Sequence, residues 1–589
     1  MITTSIMNRF AATLTLSALL YAATASAAAG DAARDQAFKD QRSTARFLSQ
    51  ATFGPTPGDI NQLRGSSASE WFQAQLALPP TYLMPIFEEY AERAEESESD
   101  DEFDLLANEG ATFGFWRNAV SAPDQLRQRM AFALSELLVV SNGGGEVLTD
   151  VPQAVTWYQD LLIEHAFGNY RELLEAVTYS PAMGYYLTYM GNERGDPATG
   201  RVPDENYARE IMQLFTIGVL ELNLNGTPKR DSDGQPIETY SNADVTGLAR
   251  VFTGLNLDER FYDVEEDADA LAYSTPMAIF PESHSERPKQ FLGTTIPANT
   301  PAAESIDAAL DHLFAHPNVG PFVGRQIIQR FTSSSPNKGY VKRVAQAFNR
   351  GSYRLPDGSQ VGTGQRGDLA ATLAAVLFDP QARKPKGKAA GKVREPILRF
   401  THWARAFRVQ QVTPEYNWQL WDTSGPGMLG QHPYRAQSVF NFFRPGYVAP
   451  GTETGKRGLT VPELQIVNAS SVPGYTNFMT GFVFAWQQYE DIEELQEEYD
   501  EEGIGLDASR VVTSFLPNYR SELSRAEDAD ALLRRLDLLL THGQLSSATR
   551  NAVKEAINAI PVYDEESLDY RVKFAILMIM TSPDYLVLR

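Results

Sequence analysis

Hydrophobic and polar positions follow the period of an α-helix along most of this 589-residue chain. The segment 124–140 carries an apolar stripe at spacings of three and four, and 532–540 gives the cleanest pattern of this kind. Ser43 is a candidate N-cap for a first helix, and Thr56 with Asp59 indicates a capping box for a second. We therefore predict a large multihelical globular protein of the mainly α class.

The helical pattern is interrupted in two places. Between residues 220 and 240, Asn225-Gly226 and Asp233-Gly234 are hairpin-turn dipeptides, which predict a small β-hairpin excursion. Residues 261–302 lack a helical pattern and predict an irregular loop segment. We expect the flanking helical parts, at 43–260 and 303–589, to pack together as one unit.

The segment 203–218 is predicted to be the short helix against which the other helices dock. Asp204 can cap its start, and Gly218 can take the left-handed conformation that ends it. One face is apolar and consists of Ala208, Ile211, Met212 and Phe215. Another face carries Glu205, Asn206, Arg209, Glu210 and Gln213. These side chains, stacked one turn apart, indicate an ordered polar network.

Composition is that of an ordinary globular protein, with 43% hydrophobic residues. The chain has no cysteine, which excludes disulfides, thiolate nucleophiles, iron–sulfur clusters and cysteine-ligated zinc. A net charge of −24 disfavours nucleic acid and anionic lipid as partners. Acidic runs at 88–104 and 490–502 hold much of this charge. They are typical of a solvated surface, and the alternative is that they bind calcium outside the cell.

The N-terminus has the pattern of a signal peptide over residues 1–27. Arg9 precedes a short apolar run, and Ala25-Ser26-Ala27 matches a cleavage site, followed by a polar linker at 28–42. No other stretch has about 18 consecutive apolar residues, so we predict no membrane span. We expect an exported protein, in a bacterial periplasm or outside the cell.

Candidate chemistry lies in three places. His284, in the irregular segment, could act as a general acid or base in a site that it forms with Glu205, Arg209 and Glu210. The alternative is that the three charged side chains of the helix form a structural network that connects helices. Further candidate binding residues are Asn206, Lys289, Phe440, Asn441 and Arg444. The last three could stack a sugar or line a groove, although a core aromatic cluster is the alternative.

Calcium is the candidate cofactor that the sequence suggests. Asp231 and Asp233 resemble the start of a calcium-binding loop, but the glutamate that would complete the loop is not at the required distance. The pattern favours a turn. No Gly-x-Ser-x-Gly elbow, phosphate loop or His-Glu-x-x-His motif is present.

Several segments resemble one family. They are 45–54, Glu205-Asn206-Tyr207-Ala208-Arg209-Glu210, 249–254, 366–369, Val393-Arg394-Glu395-Pro396 and 438–447. Over roughly 43–589 the chain is similar to the large bacterial family catalogued as domain of unknown function number eighteen hundred. The resemblance implies an exported, mostly helical protein. It also implies a partner from a second exported family with a sulfatase- or phosphatase-like appearance.

Two classes of function follow from these observations. The first is a non-catalytic exported protein that binds or assembles with another exported protein. The second is a hydrolase-like enzyme that acts on an extracellular polymer through Glu205, Glu210 and His284. The missing catalytic motifs favour the first.

Overall fold

The structure, a computed structural model, describes residues 38–95, 100–143, 146–258, 260, 268–384, 391–409, 420, 422–484 and 515–589. The predicted signal peptide and the acidic run at 490–502 lie outside these residues. None of the helices in the described ranges is long and apolar enough to cross a membrane.

Most of the described residues between 38 and 258 are helical. Asp40, not Ser43, is the N-cap of the first helix; Ser43 is the third helical residue of a capping box with Asp40, so the prediction for Ser43 was wrong. The predicted box of Thr56 and Asp59 is confirmed. The helices are α1 Gln41–Ala51, α2 Pro57–Leu63, α3 Ala68–Ala77, α4 Met84–Glu95, α5 Asp100–Ser121, α6 Gln125–Ser135, α7 Glu146–Asp150, α8 Pro152–Glu164, α9 Tyr170–Thr178, α10 Pro181–Tyr186, α11 Asn206–Glu210 and α12 Asn242–Ala249.

The C-terminal half continues the same architecture. Its helices are α13 Ala268–Tyr273, α14 Ala302–Ala315, α15 Val319–Phe331, α16 Lys338–Arg350, α17 Leu369–Leu377, α18 Pro380–Arg383, α19 Pro396–Ala406, α20 Glu453–Lys456, α21 Ser471–Phe484, α22 Arg520–Leu523, α23 Ala529–Thr541, α24 Ser547–Ala559, α25 Glu565–Met580 and α26 Pro583–Leu586. The mainly α fold is therefore confirmed.

Strands are short and occur in antiparallel pairs. The pairs are β1 Leu255–Asn256 with β2 Ala278–Ile279, β3 Lys289–Phe291 with β4 Thr294–Ile296, β5 Tyr353–Arg354 with β6 Gln360–Val361, and β7 Lys392–Val393 with β8 Val587–Leu588. The last pair joins residues almost 200 positions apart, with Lys392 opposite Leu588. The predicted hairpin near 220–240 is present as isolated bridges, such as the one between Leu220 and Glu238.

Two hydrophobic cores hold the helices together. The first includes residues of α1, the helices from α3 to α12 and the helices from α14 to α18. The second is built mainly on α19, α21, α23 and α25, with residues of α1, α2, α5 and α6 added to it. Phe400 lies in the second core, with its ring centroid 5.5 Å from Trp116 and 5.0 Å from Phe482. Helices α1, α5 and α6 contribute side chains to both cores, so these three helices form the seam between the cores.

Candidate functional site

The predicted central helix is one α-helical turn followed by a π-helix. Asn206–Glu210 is α-helical and Ile211–Thr216 is π-helical. The N-cap is Glu205, although Asp204 Oδ1, one residue earlier, accepts a bond from the Asn206 amide at 2.7 Å. The predicted end is present, since Gly218 has φ +70°. The π-helix was not predicted, because apolar spacing does not distinguish the two backbone hydrogen-bond patterns.

The apolar face of this segment is buried in the first core, as predicted. Its main anchor is Tyr207, whose ring stacks on Tyr189 with centroids 4.0 Å apart and meets Phe252 edge-on at 4.7 Å. The Tyr207 and Thr178 hydroxyl oxygens are 2.8 Å apart, so the one polar atom of this buried side chain is satisfied. The segment is therefore a packed part of the core.

The polar face is divided between solvent and interior. Glu205 and Arg209 form an ion pair at 3.4 Å with both side chains 38% exposed, and Glu205 Oε1 accepts a bond from the Thr246 hydroxyl at 2.7 Å. Glu210 is buried, its Oε2 has no hydrogen-bond partner among the described residues, and burial raises its pKa. Asn206 is exposed, with its Nδ2 3.4 Å from Thr188 Oγ1.

Exposure of the Glu205–Arg209 pair predicts a small effect on stability. We expect Glu205→Gln to lower the free energy of unfolding by less than about 1 kcal/mol, because solvent screens such pairs. Glu221→Gln is a matched control, since the pair of Glu221 with Lys229 is similarly exposed. Urea denaturation measures both, and a loss above about 2 kcal/mol for Glu205→Gln alone would show that this carboxylate is a structural anchor.

His284 and Lys289 lie close together but are engaged elsewhere. His284 is 5% exposed, and its Nδ1 is 2.8 Å from the Thr253 carbonyl oxygen. Lys289 is fully buried and donates from Nζ to the Ser285 carbonyl at 2.9 Å. Burial lowers the pKa of both side chains. Within the described ranges, no hydrogen bond or ion pair links either one to the carboxylates or the guanidinium of α11.

The aromatic turn at 438–447 places its three candidate residues differently. The Arg444 guanidinium lies 4.4 Å from the centre of the Phe440 ring, in a partly exposed cation–π pair. Asn441 has a left-handed backbone, with φ +61°, and its Nδ2 is 3.4 Å from Glu136 Oε1. Only Asn441 therefore points to charged groups inside the protein.

The two calcium candidates form a solvent-exposed turn. Asp231 Oδ1 accepts bonds from the amides of Asp233 and Gln235, at 2.9 and 2.8 Å. These bonds are those of an Asx-type turn, in agreement with the pattern that favoured a turn. In the part of the chain that the structure describes, no three acidic or histidine side chains are grouped so as to hold a metal ion.

Sequence reasoning did not single out a buried ionic cluster at the seam between the cores. Its members are Glu136 at the end of α6, Arg330 in α15, Lys392 in β7, Glu395 before α19, and Glu463. Lys392 Nζ lies 2.7 Å from Glu395 Oε1 and 2.9 Å from Glu463 Oε1. The only sequence signal was that Glu395 and Asn441 belong to segments that resemble the family.

The two carboxyls nearest the centre of this cluster have opposite pKa shifts. Burial raises the pKa of Glu136 to about 8, whereas Glu395, although also desolvated, has its pKa lowered to about 2 by Lys392, Arg330 and Arg129. Glu136 and Glu395 interact directly and titrate as a pair, which keeps one proton at neutral pH. With Glu136 6% exposed and Glu395 fully buried, the cluster connects helices rather than facing a ligand.

A glycine-rich motif also escaped the sequence analysis. Gly362, Gly364 and Gly367 form a Gly-x-Gly-x-x-Gly run between β6 and α17. Its strand belongs to an antiparallel hairpin, and the Asp368 carboxylate caps α17 by accepting a bond from the Ala371 amide at 2.8 Å. A carboxylate therefore already occupies the position where a dinucleotide phosphate would bind.

A cleft of about 690 Å³ lies between α8 and α9. Such a volume is typical of ligand sites. Its lining residues are Tyr82, Trp157, Asp160, Leu161, Glu164, His165, Glu172, Glu175, Ala176, Tyr179 and Pro276. Sequence reasoning missed this cleft because its rings and carboxylates come from separate segments and share no motif.

Polar groups in the cleft are mostly acidic. Asp160 is buried and caps α4, accepting bonds from the Leu83 and Met84 amides at 2.6 and 2.9 Å. Burial raises the pKa of Asp160 to about 7. Glu164 accepts a hydrogen bond from the Tyr82 hydroxyl, and Glu172 is exposed. The cleft thus combines aromatic surface with negative charge.

Taken together, the fold and the cleft define a mainly α protein with an acidic, aromatic surface cleft. The chain belongs to the family described as protein of unknown function (DUF1800), which matches residues 46–587. The resemblance seen in the sequence is therefore confirmed. No curated protein and no solved structure matches the chain.

Proposed function

We propose that this protein is exported and acts as a binding or assembly partner of another exported protein, which it engages through the cleft between α8 and α9. The observation that supports this most is the cleft itself, with a volume of about 690 Å³ and an exposed aromatic and acidic lining. A sulfatase- or phosphatase-like exported protein is the candidate partner, as the family resemblance implies.

Filling the cleft tests this proposal. We expect Ala176→Trp, which places an indole inside the cleft, to abolish co-purification of the partner from the native host. Ala552→Trp adds the same ring to an exposed position of α24 and should leave the partner bound. Circular dichroism confirms that both variants fold. Equal capture by the two variants, or no reproducible partner for the unmodified protein, would contradict the proposal.

One observation favours the alternative, a hydrolase-like enzyme on an extracellular polymer. The Glu210 carboxyl is buried with a raised pKa, and its Oε2 has no hydrogen-bond partner among the residues that the structure describes. These features suit a general acid. His284, however, is hydrogen-bonded to Thr253 rather than to α11. Polymer hydrolysis that is lost in Glu210→Gln would favour the enzyme over the binding protein.

A further inference from the structure

We propose that the cleft between α8 and α9 binds lysine or arginine side chains from a basic segment of the partner protein; this rests on the binding function proposed above. Aromatic faces combined with carboxylates are the chemistry that recognises ammonium and guanidinium groups. The rings, the charges and the dimensions of the cleft each support this occupant.

Three aromatic rings form the apolar wall of the cleft. Tyr82, Trp157 and Tyr179 pack against the first core while part of each side chain stays exposed. Their positions are fixed by that packing, so an incoming cation would meet rings that are already in place. A cation within about 6 Å of such a ring is attracted by its quadrupole, most strongly by Trp.

Negative charge around the cleft exceeds the positive charge available to neutralise it. Two bases lie near the cleft. Arg171 pairs with three carboxylates, those of Glu175, Asp307 and Asp311. Arg127 interacts electrostatically with Glu164 and Tyr82. Glu172 adds a carboxylate for which no ion pair exists among the described residues, and Glu164 is bonded only to the neutral Tyr82 hydroxyl. Two guanidinium groups among five carboxylates leave a net negative local field that attracts a cation.

The described residues that line the cleft supply no competing positive charge. None of the described residues that line it is lysine or arginine. Burial lowers the pKa of His165, which keeps this imidazole neutral at pH 7 although Glu164 and Glu172 oppose the shift. A volume of about 690 Å³ exceeds what a metal ion needs and suits several side chains of a peptide segment.

Binding of tri-lysine, measured by isothermal titration calorimetry, tests the assignment, with tri-glutamate as the reference peptide. We expect tri-lysine to bind more tightly, and Glu172→Lys to weaken it about tenfold, a change of ~1.4 kcal/mol. Glu555→Lys makes the same charge change at an exposed position of α24 and should leave the Kd unchanged. Trp157→Phe should weaken binding while keeping an aromatic core contact, and added salt should raise the Kd.

Two results would overturn the assignment. The first is equal affinity for tri-lysine and tri-glutamate. The second is equal weakening of tri-lysine binding by Glu172→Lys and Glu555→Lys, because this would indicate only a non-specific effect of net charge. The proposed function can be judged separately. If Ala176→Trp still loses the partner while tri-lysine fails to bind, the cleft is a docking site for a different chemistry.

Discussion

Replacing Glu395 with glutamine is expected to lower the free energy of unfolding by about 3 kcal/mol, because it removes one partner of a buried ion pair. Lys392 Nζ lies 2.7 Å from this carboxylate, and both side chains are at most 2% exposed. Glu463 would still contact the ammonium at 2.9 Å, which places the expected loss at the lower end of the range for broken buried pairs. Urea denaturation at pH 7 measures the change.

Glu136→Gln is the matched control, because an amide resembles the protonated carboxyl that the structure favours at this position. We expect it to change the free energy of unfolding by less than about 1 kcal/mol near pH 4, where Glu136 is protonated in both states. At pH 7 it should raise the free energy of unfolding, because glutamine cannot release the proton that Glu136 gives up in the unfolded chain. Equal losses in the two variants would contradict the assignment of the proton to Glu136 and of the negative charge to Glu395.

The same pair gives stability a defined pH dependence. The folded-state pKa of Glu136, about 8, lies above its ordinary value of 4.5, so the folded protein retains a proton that the unfolded chain releases. The contribution of Glu136 is therefore complete below pH 4.5 and is lost as the pH rises to 8, with a slope of up to ~1.4 kcal/mol per pH unit. Glu395, whose pKa is about 2, contributes stability above pH 4.5 that is lost as the pH falls towards 2. Glu136→Gln should reduce the slope between pH 4.5 and 8, where the raised pKa of Asp160 still contributes up to about 7, and should keep the slope below pH 4.5.

The second large effect is expected from Gly247→Ala in α12. A Cβ at this position would lie 1.7 Å from the Gln290 carbonyl oxygen, because β3 crosses the helix directly over this glycine. Either the helix or the strand must move, and we expect a loss of about 3 kcal/mol in the free energy of unfolding. The displacement would also disturb Lys289, which precedes Gln290 in the strand.

Gly481→Ala provides the control for helix propensity. Gly481 lies in α21, and a Cβ there would have no atom within 4 Å. Replacement with alanine should be neutral or raise stability by about 0.5–1 kcal/mol, since glycine is the more flexible residue in the unfolded chain. Thermal unfolding of both variants separates the steric effect from helix propensity. A Gly247→Ala protein as stable as the unmodified one would contradict the expectation, because it would show that the helix and strand can move apart with no loss of free energy of unfolding.

Much of the fold could be predicted from the sequence because it depends on local patterns. The helical stripes, the box of Thr56 and Asp59, and the end of the segment 204–218 at Gly218 all involve residues within a few positions of each other. The π-helix could not be predicted, because it is a small change of hydrogen-bond register that leaves the apolar spacing almost intact.

The candidate site was less accessible to prediction than the fold. Arg209 and Glu210 were correctly placed on one short helix, with Glu205 as its N-cap. Their distance from His284 depends on how remote segments pack. The ionic cluster combines residues from 136 to 463, and the cleft combines residues from 82 to 276. The cluster and the cleft are each formed only by tertiary contacts between distant segments. The distribution of charged and aromatic residues along the sequence therefore does not predict them.

Pairing of β7 with β8 sets an order of events during synthesis. Lys392 pairs with Leu588 in the two-stranded sheet. The Arg394 amide donates a hydrogen bond to the Leu586 carbonyl oxygen at 2.9 Å. The ribosome must therefore deliver almost 200 further residues after Lys392 before this strand finds its neighbour. Until those residues are synthesised, the second core is incomplete and its apolar side chains are exposed. The nascent chain must therefore be protected from aggregation during that time.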